Sequence, residues 1–278
     1  MNMEGLRKKV EETCKVIKNK TSFLPKIGII LGTGLGKLVE RISSEAIIPY
    51  KELPNFPVPT VESHAGRLIF GLLSGKPVVA MQGRFHYYEG YSMEEVTFPV
   101  RVTKFLGART LIVSNASGGV NPLFERGTIM LVSDHINFMG VNPLRGKNDE
   151  SLGPRFPDMC NAYDEELIKL AERVALKEGI PLKKGVYVAL QGPTLETATE
   201  YQMIRNIGGD AVGMSTVPEV IVARHMGMKV IGLSIITDLG FPDALEPVNY
   251  KVIIETAENA EPILTRLVEK IVEEMSIQ

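Results

Sequence analysis

The stretch KIGIILGTGLGK, residues 26–37, sets an apolar run, Ile27 to Leu31, directly before the glycines Gly32, Gly34 and Gly36. A run of this length rich in β-branched residues reads as a strand buried on both faces, ending in a tight loop. The same grammar recurs along the chain. Thr110–Ser114, Thr128–Val132, Gly185–Leu190, Asp210–Met214 and Lys229–Ile236 read as strands, and Arg67–Leu73 with Pro77–Gln82 reads as a hairpin about Ser74-Gly75-Lys76. Helices alternate with them. Leu6, Val10, Cys14 and Ile17 stand at helical spacing within 4–20, Asp164–Lys177 reads as an exposed helix, and 249–275 closes the chain helically. Ser92/Glu95, Thr197/Glu200 and Thr216/Glu219 carry the spacing of capping boxes. Pro99 and Gly107 are expected to kink and to end the first of these helices. Strands alternating with helices predict an α/β fold. With no composition shift along the chain, one domain over 1–278 is expected; the long loop 140–160 is of the kind that is usually functional or interfacial.

Composition narrows the function classes. Across 278 residues, 31 Lys and Arg against 33 Asp and Glu leave a net charge of −2, with no basic excess to match a polyphosphate backbone. Nucleic-acid binding as the main task is therefore disfavoured. No apolar run approaches the ~18 residues of a membrane span. The opening MNMEGLRKKVEETCK lacks the apolar core of a secretory signal, so a cytoplasmic protein is expected. Two cysteines, Cys14 and Cys160, make neither a disulfide scaffold nor a metal cluster.

The residues that carry chemistry gather after apparent strands. The loop from Leu31 to Lys37 fails both familiar phosphate motifs. A dinucleotide fingerprint needs Gly or Ala where Lys37 stands, and a P-loop needs Gly at Leu31 and Ser or Thr at Leu38. It is either a plain tight turn or an anion cradle built from backbone N–H groups and the Thr33 hydroxyl. GRFHYYEGY, 83–91, follows a buried strand directly, and period two sets Arg84 and His86 on one face. An Arg fork with an imidazole suits phosphate, and Glu89 is placed to hold His86 in one protonation state. His64, before another strand, is a further candidate; His225 reads as structural, and His135 stays open. Asn115-Ala116-Ser117-Gly118-Gly119 reads as a second small-residue loop at a strand end. Glu196 either complements a helix dipole or faces a ligand. Met214 is core or site, the helix after Ser215 offers an anion-binding terminus, and Asp238 ends the most apolar strand. Convergence of these loops on one crevice predicts a small-molecule site carrying phosphate.

Taken together, LGTGLGKL, VESHAGRLIFG, GRFHYYEGY, NASGGVNP, SDHINFMGVNPLRG, PRFPDM, GPTLETATE and VGMSTVPEVIVARH resemble the trimeric purine nucleoside phosphorylases, in family order and over nearly the whole chain. The resemblance implies a single α/β domain whose central mixed sheet forms a distorted barrel flanked by helices. It implies a homotrimer without metal or organic cofactor, and reversible phosphorolysis of purine nucleosides with orthophosphate as co-substrate. By the same resemblance phosphate falls on Thr33, His64, Arg84, His86, the Ala116 N–H and Ser215, with Glu89 behind His86. The sugar lies against Tyr88 and Met214, and Phe156 crosses to cover the ribose of a neighbouring subunit. Glu196 faces the N1 side of the purine, with Tyr187, Val212 and Gly213 completing the base pocket.

The chain departs from the family at several points. Leu195 stands where an aromatic residue often stacks on the base, and Asp238 stands where the 6-oxopurine enzymes carry Asn. The methylthioadenosine phosphorylase branch has Asp at that point but a second aspartate where Gly240 stands. Tyr250 occupies the position of a histidine near the 5′-hydroxyl and matches neither branch. Acceptance of adenosine beside 6-oxopurine nucleosides is expected. A 5′-methylthioadenosine or methylthioinosine phosphorylase is the alternative within the superfamily; a nucleoside hydrolase or a non-catalytic purine-binding protein are the alternatives outside it.

Overall fold

The computed structural model describes residues 3–32, 36–58, 60 and 65–277. Its strands are β1 (Ile27–Leu31), β2 (Ser43–Pro49), β3 (Arg67–Leu73), β4 (Lys76–Gln82), β5 (Thr110–Gly119), β6 (Ile129–Asn137), β7 (Leu182–Ala189), β8 (Ala211–Gly213) and β9 (Lys229–Leu239). Its α-helices are α1 (Met3–Lys20), α2 (Met93–Phe105), α3 (Glu165–Glu178), α4 (Ala198–Asn206), α5 (Val217–His225) and α6 (Tyr250–Glu274). The strands form one mixed sheet in the order β2-β3-β4-β1-β5-β8-β7-β6-β9, and β9 pairs back with β5. Five strands thus close into a barrel, from which β1, β4, β3 and β2 extend as an open wing. This is the distorted barrel expected from the family resemblance.

The apolar runs found in the sequence lie where their pattern puts them. All five residues of β1 are buried, sandwiched between β4 and β5 in parallel register. Leu6, Val10, Cys14 and Ile17 form the buried stripe of α1, each 5% exposed or less. Ser74 and Gly75 turn the β3–β4 hairpin with φ of 49° and 75°, the positive values that a two-residue hairpin turn demands. Ser92/Glu95 and Thr197/Glu200 are both reciprocal capping boxes. Helix α2 continues through Pro99 and stops before Gly107, whose φ is 117°.

One expectation needs correction here, and one strand was not expected at all. Asn115–Gly119 is not a loop: β5 runs on to Gly119, paired with β9 from Asn115↔Ser234 to Gly119↔Leu239. A backbone ladder needs no apolar side chains, and these small residues suit the close approach of the barrel strands. The register shifts between Ser117 and Gly118, within the wall of the site. Strand β2 carries no signal of its own. It lies at the sheet edge, largely exposed, with only Ile48 buried, so no alternation marks it. The segment 140–160 contains no helix or strand, as its composition predicts.

Since β4, β1, β5 and β9 run parallel, their carboxyl ends share one side of the sheet. That geometry collects the chemistry-bearing residues.

Candidate active site

Arg84 leaves the end of β4 through Gly83, whose φ of 112° turns the chain inward. Its side chain is fully buried. Nη1 donates to the Ser114 carbonyl (2.9 Å), Ser215 Oγ (3.1 Å) and Thr216 Oγ1 (3.4 Å), and Nη2 stands 3.1 Å from Glu219 Oε1. Both members of this ion pair are at most 3% exposed. The Thr216/Glu219 pair is therefore not a capping box. Thr216 makes no side-chain cap, and Glu219 turns inward to the guanidinium rather than back to the helix start. The stronger partner wins: a buried guanidinium demands a counter-charge more than a helix terminus demands a cap. Thr216 adopts φ 72°, ψ −56°, and the Ser215 carbonyl accepts from Val217 N at 2.8 Å. That is the strained form of the γ-turn, costly for a β-branched residue. Asn115 Nδ2, donating to Thr216 Oγ1 at 2.8 Å, helps to hold it. Asn115 is itself tied through Ser234 to Ser117. A buried polar chain thus fixes Arg84 and Ser215 together.

His86 follows in extended backbone, on the same face as Arg84. Its Nδ1 and its backbone N both lie 2.8 Å from Glu89 Oε1, while the Thr60 N–H and hydroxyl donate to Glu89 Oε2 at 2.9 and 2.6 Å. Burial pushes the Glu89 carboxyl up, but the bonds from His86 and Thr60 outweigh it and hold it at about 2. Glu89 is thus a fixed anion that orients the imidazole. Tyr88 stacks on His86 with ring centroids 4.7 Å apart, its phenol raised by burial to about 12.

The other end of the site carries two carboxylates. Glu196 and Asp238 are each half-buried, and burial raises both above the ordinary carboxylate range. Their mutual repulsion adds to the shift at Glu196, whereas the Thr237 hydroxyl, donating to Asp238 Oδ1 at 2.9 Å, and the Arg126 charge oppose it at Asp238. The buried Tyr201, on α4, has its hydroxyl beside Glu196 and lowers that carboxyl against the effect of burial. Its ring fills the space beside Gly240, where a Cβ would lie 2.2 Å from Cε1. Gly213 is bound by the same logic, since a Cβ there would meet Tyr187 Oη at 2.3 Å.

These groups line one cavity of about 410 Å³. Of the residues expected from sequence, it brings together Arg84, His86, Tyr88, Ala116, Ser215 and Met214 with Val212, Gly213, Leu195, Glu196, Asp238 and Tyr250. Leu195 and Tyr250 stand on the rim, 48% and 59% exposed. Glu89 and Tyr187 sit behind the wall; Tyr187 is fully buried, its hydroxyl 3.4 Å from the Ser215 N–H. Phe156 lies outside the cavity, 86% exposed, with Arg155 over its ring. Thr33 and His64 lie outside the described residues. His135 and His225 take no part in the cavity. Asn115 and Thr237 stand in the wall, in two of the segments expected to converge on the crevice; sequence reasoning missed the inward role of Glu219, because an acid in a helix's first turn gives no local sign of it. Among the described residues no group of three His, Cys, Asp or Glu could hold a metal ion. No described helix is long and apolar enough to cross a membrane.

Residues 26–273 match the model of the phosphorylase superfamily. The chain is 54% identical to purine nucleoside phosphorylase 1 of Geobacillus stearothermophilus, over 97% of this chain and 98% of that protein. It is 48% identical to the mouse purine nucleoside phosphorylase, over 96% and 95%. Among solved structures, Schistosoma mansoni purine nucleoside phosphorylase in complex with adenosine superposes with a TM-score of 0.93 at 42% identity, covering 98% of both chains. The same enzyme with inosine does so at 0.93 and 43%, again covering 98% of both.

Proposed function

The chain belongs to the phosphorylase superfamily, and from that premise we propose how its cavity carries out the phosphorolysis of purine nucleosides. It is an enzyme that transfers a pentosyl group from a purine base to orthophosphate, reversibly. The observation that carries the residue-level reading is polarity along one cavity: Arg84, His86 and Ser215 at one end, Glu196 and Asp238 at the other.

Orthophosphate binds to Arg84, His86, Ser215 and the Ala116 N–H; the family resemblance adds Thr33 and His64 to these. Tyr88 and Met214 hold the sugar between the two ends. As the glycosidic bond breaks, its electron pair leaves with the purine and positive charge grows on the ribosyl group. Phosphate below the sugar stabilises that charge and attacks C1′ with inversion. Glu196 accepts from the N1 side of the base, and Asp238 meets the 6-substituent and the N7 edge, where a proton must arrive. Positioning and fixed electrostatics do the work, with no covalent enzyme intermediate. No metal or organic cofactor enters the scheme.

An ionised Asp238 accepts from a 6-amino group, and a protonated one donates to O6 or N7, so its raised pKa supports acceptance of adenosine beside inosine and guanosine. The exposed Phe156 supports a homotrimer in which that ring covers a neighbour's site. The reaction belongs to salvage of purines in the cytoplasm.

The test is a nucleoside panel with and without orthophosphate, the sugar product identified. Ribose 1-phosphate from inosine, guanosine and adenosine, only with phosphate present, is expected. Free ribose would indicate a hydrolase, no turnover a binding protein, and exclusive use of 5′-methylthio nucleosides the other branch of the superfamily.

A further inference from the structure

A second cavity lies at the other end of the parallel strands. It sits at the amino ends of β1, β5 and β9, opposite the catalytic cavity, and measures about 410 Å³. Lys26, Lys104, Arg109, Arg173 and Lys229 line it. In a chain of net charge −2 such a gathering is a local feature, not a sample of the whole surface. Lys229 has Asp164 at 3.3 Å; the other four form no ion pair with a carboxylate among the described residues. The two acids in the lining are engaged by lysines outside it: Glu166 lies 3.1 Å from Lys169, and Glu274 2.8 Å from Lys177. Lys26 and Lys104 are half-buried, and burial together with the Arg109 guanidinium pushes the Lys104 ammonium below its ordinary value. Beneath these charges Ile27, Leu167, Leu170 and Met275, each at most 6% exposed, pack into the core and close the floor.

Like charges crowded into a concavity oppose folding, and a bound polyanion reverses the sign of that contribution. Several basic side chains around one concavity fit a ligand that carries several anionic groups. We propose that this cavity binds a polyphosphate, free or carried on a nucleoside. Its phosphates lie against Lys26, Lys104, Arg109 and Arg173. The site is distinct from the phosphate position between Arg84 and Ser215, since the two occupy opposite ends of the parallel strands.

Calorimetric titration of the full-length protein with ATP and with inorganic triphosphate, in saturating orthophosphate to fill the catalytic anion position, tests this. One triphosphate per subunit is expected, and ATP bound through the same phosphates. Lys104→Ala with Arg109→Ala should weaken it by at least roughly tenfold. Arg173→Glu, on an exposed helix face, provides a second variant that leaves the half-buried lysines in place, and should also weaken it. Arg84→Ala should leave ATP binding unchanged, and Lys104→Ala/Arg109→Ala should leave inosine phosphorolysis unchanged, which separates this site from the catalytic reading. No binding of either probe, undiminished binding in both cation variants, or loss in Arg84→Ala overturns the proposal. Binding of ATP without binding of triphosphate would mean recognition by the purine and also overturns the proposal.

Discussion

Replacing Glu219 by alanine removes the carboxylate that faces Arg84 at 3.1 Å, both side chains being at most 3% exposed. The guanidinium cannot move to water, because the Ser114 carbonyl and the hydroxyls of Ser215 and Thr216 hold it in place. A buried ion pair broken on one side costs about 3–5 kcal/mol, since a charge is left uncompensated. For a chain of this size that is a fall in Tm on the order of 10 °C. Glu219→Gln keeps the shape and one acceptor oxygen, so it should fall less. Replacing both partners by apolar residues, Arg84→Met with Glu219→Leu, removes the stranded charge and should recover much of the stability while phosphorolysis stays lost. Calorimetric melting of the four proteins, with the phosphate KM of the single variants, decides the matter. The phosphate KM should rise in Glu219→Ala with the inosine KM little changed, because Glu196 and Asp238 lie at the other end of the cavity. A Glu219→Ala protein melting within about 2 °C of the parent, or a double variant no more stable than the single, would refute the reasoning.

Asp238→Asn should raise kcat/KM for inosine relative to adenosine by roughly 1–3 kcal/mol if one hydrogen bond decides, and an unchanged ratio across pH would exclude that role. Tyr201→Phe keeps the ring against Gly240 but removes the hydroxyl that lowers the Glu196 carboxyl; the carboxylate loses support, so inosine turnover should fall at the acid end of the pH profile before adenosine turnover does. Equal loss for both nucleosides at every pH would assign Tyr201 a packing role only. The Glu89 pKa is depressed from 4.5 to about 2 in the fold, so its contribution to stability is present above pH 4.5 and lost as pH falls toward 2. Denaturant unfolding of Glu89→Gln should therefore show a deficit at pH 6 that closes by pH 2, and a deficit constant across that range contradicts the linkage. Arg84→Ala and Phe156→Ala subunits, unfolded and reassembled together, should recover activity above either parent; mixed trimers without recovery would exclude a shared site.

The parts of this fold that were legible are those written locally. The stripe of α1, the runs of β1 and β9, and the boxes at Ser92 and Thr197 each depend on residues within a turn or two of one another. The Thr216/Glu219 spacing was equally clear and was misleading, because its true partner, Arg84, lies 132 residues from Thr216. No local rule can weigh a helix cap against a buried charge brought in by topology. The same holds for Asn115–Gly119, whose strand conformation is imposed by β9 and not by its own side chains. The candidate site was legible through its motifs; the polar chain Asn115–Ser234–Ser117 behind it was not, since each member is an unremarkable small residue until the barrel closes.

The contact between Gly240 and Tyr201 constrains the order in which this site can change. Any side chain at 240 would overlap the edge of the tyrosine ring, so an aspartate there is open only to a chain that has first given up the ring at 201. Homologous sequences should therefore show the two positions trading bulk, with a small residue at one wherever the other is large. An intermediate carrying large residues at both should be rare. The route between base preferences is then a two-step path with its first step fixed: the change that vacates the space precedes the change that fills it.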